Sequence, residues 1–400
     1  MTLNFMLKYC ISSRIVQKGI TTNFNLYIHK TDVRSHVAIL CTRSFYHYDK
    51  ILINRNKVLK DQICGIHISP PRKALPPLLL LAVRSIAKIG AIISGRFIRQ
   101  WWQKLSPEER AEVMEHIHSK KSKIAFIGTL LSTGLYLYYL ANLTEDPITK
   151  RKRFIVLNQK QLYELADFEY QQQMATFSAH VVPHWHPIHR RASHVVNTLL
   201  LANKHLKEVR DKVWSVTVID KPDVTNAFAL ANGKIFVFTG MLNICSNDDQ
   251  LAIVLAHEIS HAILSHSAET MSKMFLLELI LLVPTLLLFS ILSDSSAIIS
   301  DWIISSTAKL LFHLPFSRSI EKEADVVGLQ LAAVACYDVR EAPNFWGKMK
   351  VLSEDASVEW LSTHPRHSTR QIELQKLLPG ALKLREANNC PPLAAKFSIF

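Results

Sequence analysis

The chain has 400 residues, 48% hydrophobic and 20% charged, with a net charge of +14; this composition supplies a large core and excludes a disordered chain. The charge is one-sided: Lys and Arg outnumber Asp and Glu 25 to 9 through Arg153, and trail them 22 to 24 from Phe154 onward. No RNP, helix-turn-helix or finger spacing accompanies the basic part, which argues against nucleic acid as a partner.

The first 60 residues hold ten Lys/Arg against Asp32 and Asp49, with Ser, Thr and Tyr interspersed. No long apolar core precedes a small-residue cleavage site. The pattern is that of a mitochondrial presequence and flanking segment over residues 1–70, with a disordered basic tail as the alternative. Next, PPLLLLAVRSIAKIGAIISGRFIRQWW carries Arg84 and Lys88 four apart inside an apolar stretch. One basic and one apolar face predict a helix lying on a membrane or a partner. Ser106-Pro107-Glu108-Glu109 then predicts a capped helix start, so 74–123 reads as an amphipathic and helical segment.

Ile124–Leu143 runs 20 residues without a charge, long enough to span a bilayer as a helix, with a buried core helix as the alternative. Tyr136, Tyr138 and Tyr139 suit an interfacial belt. After a matrix-directed presequence, such a stop-transfer helix leaves the residues before it in the matrix. Everything after it then faces the intermembrane space. Lys150, Arg151, Lys152 and Arg153 would sit beside anionic lipid, or form an ordinary solvated charge run.

From Phe154 to about residue 395 the chain reads as one enzyme-sized domain. Helical stretches at 159–175 and 188–212 precede a β-rich segment in which Asn232-Gly233 predicts a hairpin turn. Helices dominate afterwards. The fold class expected is α+β: a mainly helical zincin-like domain with a small β-sheet, plus one N-terminal transmembrane helix.

HEISH at 257–261 follows Ser246-Asn247-Asp248-Asp249, a helix start with acids at the positive end of the dipole. At 3.6 residues per turn His257 and His261 project side by side, as two imidazoles on one metal require. Glu258 is rotated about 100° from His257, placed to reach a metal-bound water as general base. A third ligand is needed. His266 fails the HExxHxxGxxH spacing, with Leu264 and Ser267 at the defining positions, and reads as a surface or cap histidine.

The better candidate lies in SRSIEKEADVVGLQLAA, where Glu321 and Asp325 share a helical face. Glu321 would complete a His–His–Glu set, and Asp325 would orient one histidine from behind. Arg318 is spaced to pair with either carboxylate. A surface ion network is the alternative reading, and Glu323, on the far side of the helix, fits it. Downstream, His364 and Arg370 in WLSTHPRHSTR are either loop residues or groups that enter the cleft to stabilise an oxyanion.

HEISH, SRSIEKEAD, NAFAL and STHPRHSTR together resemble the membrane-associated gluzincin metallopeptidases, which include the HtpX heat-shock proteases and the prenyl-protein CAAX peptidases. ANGKIFVFTGML, LPFSRS with EAD, WLSTHP and NCPP resemble, within them, the mitochondrial branch whose activity overlaps the m-AAA protease. The resemblance covers about residues 75–395. It implies a stress-responsive Zn2+ endopeptidase of the inner membrane, facing the intermembrane space. It also implies membrane-anchored protein substrates, including a dynamin-like fusion GTPase, and leaves a homo-oligomer open.

By the family pattern, His257, His261 and Glu321 bind zinc and Glu258 is the base. Asp325 stands behind the ligands, and His364 and Arg370 assist near the substrate carbonyl. Asn226, Ala227 and Phe228 line an edge strand that pairs with substrate. Cys336 and Cys390 fall in an oxidising compartment, where they are either paired or two buried thiols. Phe275–Leu292 is apolar but holds Glu278 and Pro284. A single crossing there would separate Glu321 from His261, so a hairpin or peripheral course is expected. Two rivals stand beside this reading: a zinc-stabilised membrane scaffold without activity, and a prenyl-protein peptidase.

Overall fold

The computed structural model describes residues 77–355, 364 and 370–394, so the expected presequence and most of the residues around His364 lie outside the described residues. The described chain opens with α1 (Pro77–Lys104) and α2 (Pro107–Ser119). The predicted cap is present: Glu109 N–H donates to Ser106 Oγ (3.2 Å), and Ser106 N–H donates to Glu109 Oε2 (2.7 Å). α3 (Lys121–Ala141) is the apolar helix expected at 124–143, and none of its residues is buried. It stops two residues early because Leu143 already begins β1 (Leu143–Glu145), which pairs antiparallel with β2 (Lys152–Phe154). The stacked rings of Tyr139 and Phe154, 5.1 Å apart, join α3 to this hairpin.

The hairpin corrects the lipid-facing reading of the basic cluster. Lys150 and Lys152 are exposed, but Arg153 is buried against Asp146, and Arg151 turns inward onto Glu269 and Glu323. The partners of Arg151 lie 118 and 172 positions away, and Asp146 faces Arg153 only because the chain reverses between them; a run of like charges shows neither.

α4 (Gln159–Phe177) follows, then α5 (Pro187–Ala202) and the short α6 (Lys207–Arg210). The helix expected over 188–212 is thus two pieces, broken where Asn203 turns its amide back onto the Leu199 carbonyl. β3 (Ser215–Ile219), β4 (Ala227–Ala229) and β5 (Lys234–Phe238) form a sheet of order β3-β5-β4. The β4–β5 hairpin turns at Leu230–Gly233, with Gly233 N–H donating to the Leu230 carbonyl. Gly233 has φ +91°, the left-handed position that closes a three-residue loop of this kind.

The other edge of the sheet is covered, since Val182 N–H donates to the Val218 carbonyl. Among the described residues no strand pairs with the outer edge of β4. Leu230 and Asn226 hydrogen-bond inward to β5, so by antiparallel alternation the backbone groups of Ala227 and Ala229 point to that open edge.

After α7 (Thr239–Ile244), the central helix α8 (Asp248–Ile263) carries HEISH. Asn247 caps it by accepting from Gln250 N–H (2.8 Å), a contact worth about 1 kcal/mol. Nearly all of α8 is buried, between α5, the sheet, and the later helices α10 (Asp294–Val334) and α11 (Glu341–Asp355). α9 (His266–Ile291) leaves the site and α10 returns to it, bringing back Glu321. This is the hairpin course expected for 275–292. α12 (Arg370–Ala387) closes the unit, and a disulfide joins Cys336 to Cys390, 54 positions apart.

The segment 74–123 is not a separate piece. α1 lies along α9, and its cations meet carboxylates of the hairpin: Arg84 with Glu278 (2.6 Å), Lys88 with Asp301 (2.8 Å), and Arg96 and Arg99 with Asp294. Farther along, Gly95 abuts Leu286 and Phe289 and Arg99 donates to the Leu292 carbonyl, so the contacts advance in step and α1 runs parallel to α9. The basic face expected to lie on a membrane or a partner is therefore paired with carboxylates of the protein itself.

Candidate metal centre

Two helices build the site. α8 offers His257 and His261 from adjacent turns, and α10 crosses it closely enough that Gly328 abuts the His257 backbone. A Cβ at Gly328 would lie 3.0 Å from both His257 N and Cα. This approach places Glu321, two turns earlier on α10, over both histidines. Its Oε2 is 3.4 Å from His257 Nε2, and its Oε1 is 3.5 Å from His261 Nε2. His364 Nδ1 joins them, 3.0 Å from Glu321 Oε2 and 3.3 Å from His257 Nε2. One donor atom from each of the four residues falls within 4.8 Å of the others.

The far nitrogens decide what the near ones offer. His257 Nδ1 stands 3.0 Å from Asp325 Oδ1 and donates its proton there, leaving a lone pair on Nε2. His261 Nδ1 stands 2.9 Å from His266 Nδ1, which likewise leaves a lone pair on His261 Nε2. The two Nε2 atoms are 3.1 Å apart. Facing lone pairs beside a buried carboxylate repel unless a cation lies between them. Two nitrogens on one tetrahedral zinc stand about 3.3 Å apart, so the donor set fits a divalent metal.

The electrostatics of Glu321 and His261 agree; at His257, against burial and the Arg370 charge, the hydrogen bonds to Asp325 and Glu321 raise the imidazole to about 9, so a metal would displace a proton there. Burial alone would raise the Glu321 carboxyl, but His364, His257 and His261 hold it well below the usual carboxylate range. Burial pushes His261 well below the ordinary histidine value, which keeps it neutral as a ligand must be. Asp325 would also be raised by burial, and the Arg370 guanidinium together with His257 brings it down.

Glu258 is buried beside the set, with Oε1 3.4 Å from His364 Nε2. Arg370 is not open to the cleft. It forks Asp325 at 2.5 and 2.6 Å, reaches Glu321 Oε2 at 3.1 Å, and lies 3.6 Å over the Trp346 ring. Asp325 therefore takes its guanidinium from Arg370, not from Arg318. Asn226 and Ala227 are buried at the start of β4, and Phe228 stacks on Phe236.

Two residues set aside on sequence belong to the site's surroundings. His266 is buried, between His261 and Glu323 (3.1 Å). Glu323 is held by Thr149 (2.5 Å) and Arg151 (2.7 Å) and is not a surface charge. Spacing could not show this, because α8 ends at Ile263 and Ser265 takes a left-handed conformation (φ 52°) that starts α9 in a new direction.

The model of peptidase family M48 matches residues 186–378, which contain every residue of the donor set. The mitochondrial metalloendopeptidase OMA1 of Bos taurus is 39% identical over 340 residues, covering 83% of this chain and 64% of its own. That of Danio rerio is also 39% identical, covering 85% of this chain and 72% of its own. The chain belongs to the OMA1 branch of peptidase family M48. The Saccharomyces cerevisiae OMA1 is 29% identical over 284 residues. Since the chain spans just under two thirds of the bovine protein's length, the family membership concerns the M48 domain and the helices around it.

Proposed function

We propose that the chain is a zinc-dependent endopeptidase of the mitochondrial inner membrane, cleaving membrane-anchored proteins on the intermembrane-space side. The observation that carries this is the pair of inward-facing imidazole lone pairs closed by Glu321, with Glu258 buried alongside. His257, His261 and Glu321 would hold the ion, and when bound it would supply Lewis acidity and a water of lowered pKa. Glu258 takes the proton from the attacking water and hands it to the leaving nitrogen. His364, between Glu258 and Glu321, is placed to meet the substrate carbonyl. Arg370 and Asp325 fix His257 and Glu321 from behind. The open edge of β4, near α8, receives an extended substrate segment through the Ala227 and Ala229 backbone groups.

Membrane placement follows from the helices. α3 and α9 are each long and apolar enough to cross a bilayer. Because α1 is ion-paired along α9, we place α1, α3 and the α9–α10 hairpin in one layer. Exposed Ile89, Phe97, Val283, Leu287, Ile299 and Trp302 then face lipid. In this arrangement the start of α1 emerges on the face that carries the metal site, not on the opposite face as a lone stop-transfer helix would have it. The mitochondrial names of the relatives and the Cys336–Cys390 disulfide support an oxidising compartment for the M48 domain. The substrates implied by the family, a dynamin-like fusion GTPase among them, suit a site held near the bilayer. Stress response and quality control are the roles such cleavage would serve.

The test compares wild type with Glu258→Gln, both full-length, in proteoliposomes with zinc and a membrane-tethered substrate bearing an extended segment. Wild type cleaves, and the variant keeps its zinc while losing about 10²–10⁴-fold in rate. Cleavage that survives the substitution removes Glu258 from the base role, and no cleavage by wild type favours the scaffold reading.

A further inference from the structure

One buried histidine beside the metal set has no evident use in hydrolysis. His266 does not reach the donor set, yet it is 2% exposed and its two ring nitrogens are both engaged. The hydrogen-bond directions can be assigned throughout. His261 offers Nε2 inward, so its Nδ1–H donates to His266 Nδ1; His266 then carries its proton on Nε2 and donates to Glu323 Oε2. Glu323 in turn accepts from Thr149 Oγ1 and from Arg151 Nε (3.0 Å) and Nη2 (2.7 Å). Arg151 also forks Glu269 at 2.8 and 2.5 Å, and the Glu269 side chain is fully buried.

The far end of this chain of contacts is the β1–β2 hairpin. Thr149 and Arg151 both come from the stretch between its strands, and β1 begins two residues after α3 ends. The turn is internally braced: Asp146 Oδ1 accepts from Ile148 N–H (2.9 Å) and Thr149 N–H (2.8 Å), and Arg153 pairs with Asp146 beneath it. Ile155 N–H donates to the Asn142 carbonyl at 3.0 Å, tying the last residue of the α3 cap to the hairpin's exit. A displacement at the end of α3 is therefore passed to Arg151 with little slack.

We propose that His266 is the positioning residue for the metal ligand His261, and that the hairpin at the end of α3 holds it in place through Thr149, Arg151 and Glu323. The inference rests on the metal-site reading above and adds a residue set to it. A ligating histidine whose far N–H is satisfied has its tautomer and ring plane fixed, and removing such a partner costs about 10–100-fold in metal affinity. Here the partner is a second imidazole, fixed by a carboxylate whose own charge is balanced by Arg151. Removing Arg151 takes the shared cation from half-buried Glu323 and from buried Glu269, which keeps Lys273 at 3.1 Å, so Glu323 no longer stays where His266 needs it. The site and the apolar helix α3 are thereby parts of one bonded assembly.

The experiment measures zinc affinity by chelator competition on the full-length protein in detergent, alongside the visible spectrum of the cobalt-substituted form. His266→Phe keeps the ring and removes the acceptor; His266→Gln keeps an acceptor. Zinc affinity falls about 10–100-fold in His266→Phe, the cobalt band shifts, and His266→Gln recovers most of both. Arg151→Gln, which touches no ligand, weakens zinc in the same direction. It also covers the case in which His266→Phe fails to fold. Wild-type affinity and spectrum in His266→Phe, or in Arg151→Gln, overturn the inference. Stoichiometric zinc in wild type with no change in the variants sinks this inference alone. No zinc in wild type sinks the metal-site reading and this one with it.

Discussion

Gly328→Ala is the sharpest test of how α8 and α10 form the site. In an exposed helix interior this substitution stabilises by about 1 kcal/mol, because alanine restricts the unfolded chain and favours helix. At Gly328 the new Cβ would lie 3.0 Å from His257 N and Cα and 3.2 Å from the Ala256 carbonyl carbon. Those atoms are backbone in the middle of a buried helix and cannot rotate away. The two helices must separate by a few tenths of an ångström, an overpacking cost of about 1–3 kcal/mol. The net expectation is destabilisation of about 1 kcal/mol. The same displacement pulls Glu321 and His257 apart, so zinc affinity falls as well. Gly380→Ala, an exposed position in α12 with nothing within 4 Å of a new Cβ, serves as control and should stabilise. Unfolding of both variants in detergent, monitored by pulse proteolysis, separates the signs. A stabilised Gly328→Ala with unchanged zinc affinity would refute the close-approach argument.

Two further predictions concern the parts around the site. Replacing Cys336 and Cys390 by serine opens a loop spanning 54 positions, which in the chain-entropy model costs about 4 kcal/mol. Equal unfolding midpoints for oxidised wild type and the double variant would contradict this. Arg84→Glu places two acids together between α1 and α9 and should lower stability by about 3 kcal/mol, with Arg84→Glu/Glu278→Arg restoring much of it. A double variant no better than the single one would mean that α1 does not pair with α9 in the membrane.

What the sequence could show is set by the range over which each interaction acts. His257, Glu258 and His261 lie within one turn and a half of helix, and a capping signal ahead of them fixes the helix phase. Their common face follows from periodicity alone. Glu321 and Asp325 are legible as a pair for the same reason, although only the fold shows that α10 carries them onto α8. The HExxHxxGxxH spacing excludes His266 as a third ligand but does not reveal its burial, because the left-handed Ser265 redirects the chain and turns the next histidine back over His261.

Arg151 and the cations of α1 show a different limit. Both carry charges whose partners are remote in sequence: Glu269 and Glu323 lie 118 and 172 positions beyond Arg151, and Arg84 meets Glu278. A cation reads as solvated until its counter-ion is found. The same physics then reverses the conclusion, since a paired cation beside apolar helices can be buried in protein or lipid where an unpaired one cannot. The basic residues that first suggested an electrostatic surface thus form two internal clasps. One holds α1 to the hairpin that returns Glu321, and the other holds the end of α3 to the residue behind His261. Each of the two helices that carry the metal donors is tied in this way to an apolar helix outside the M48 domain.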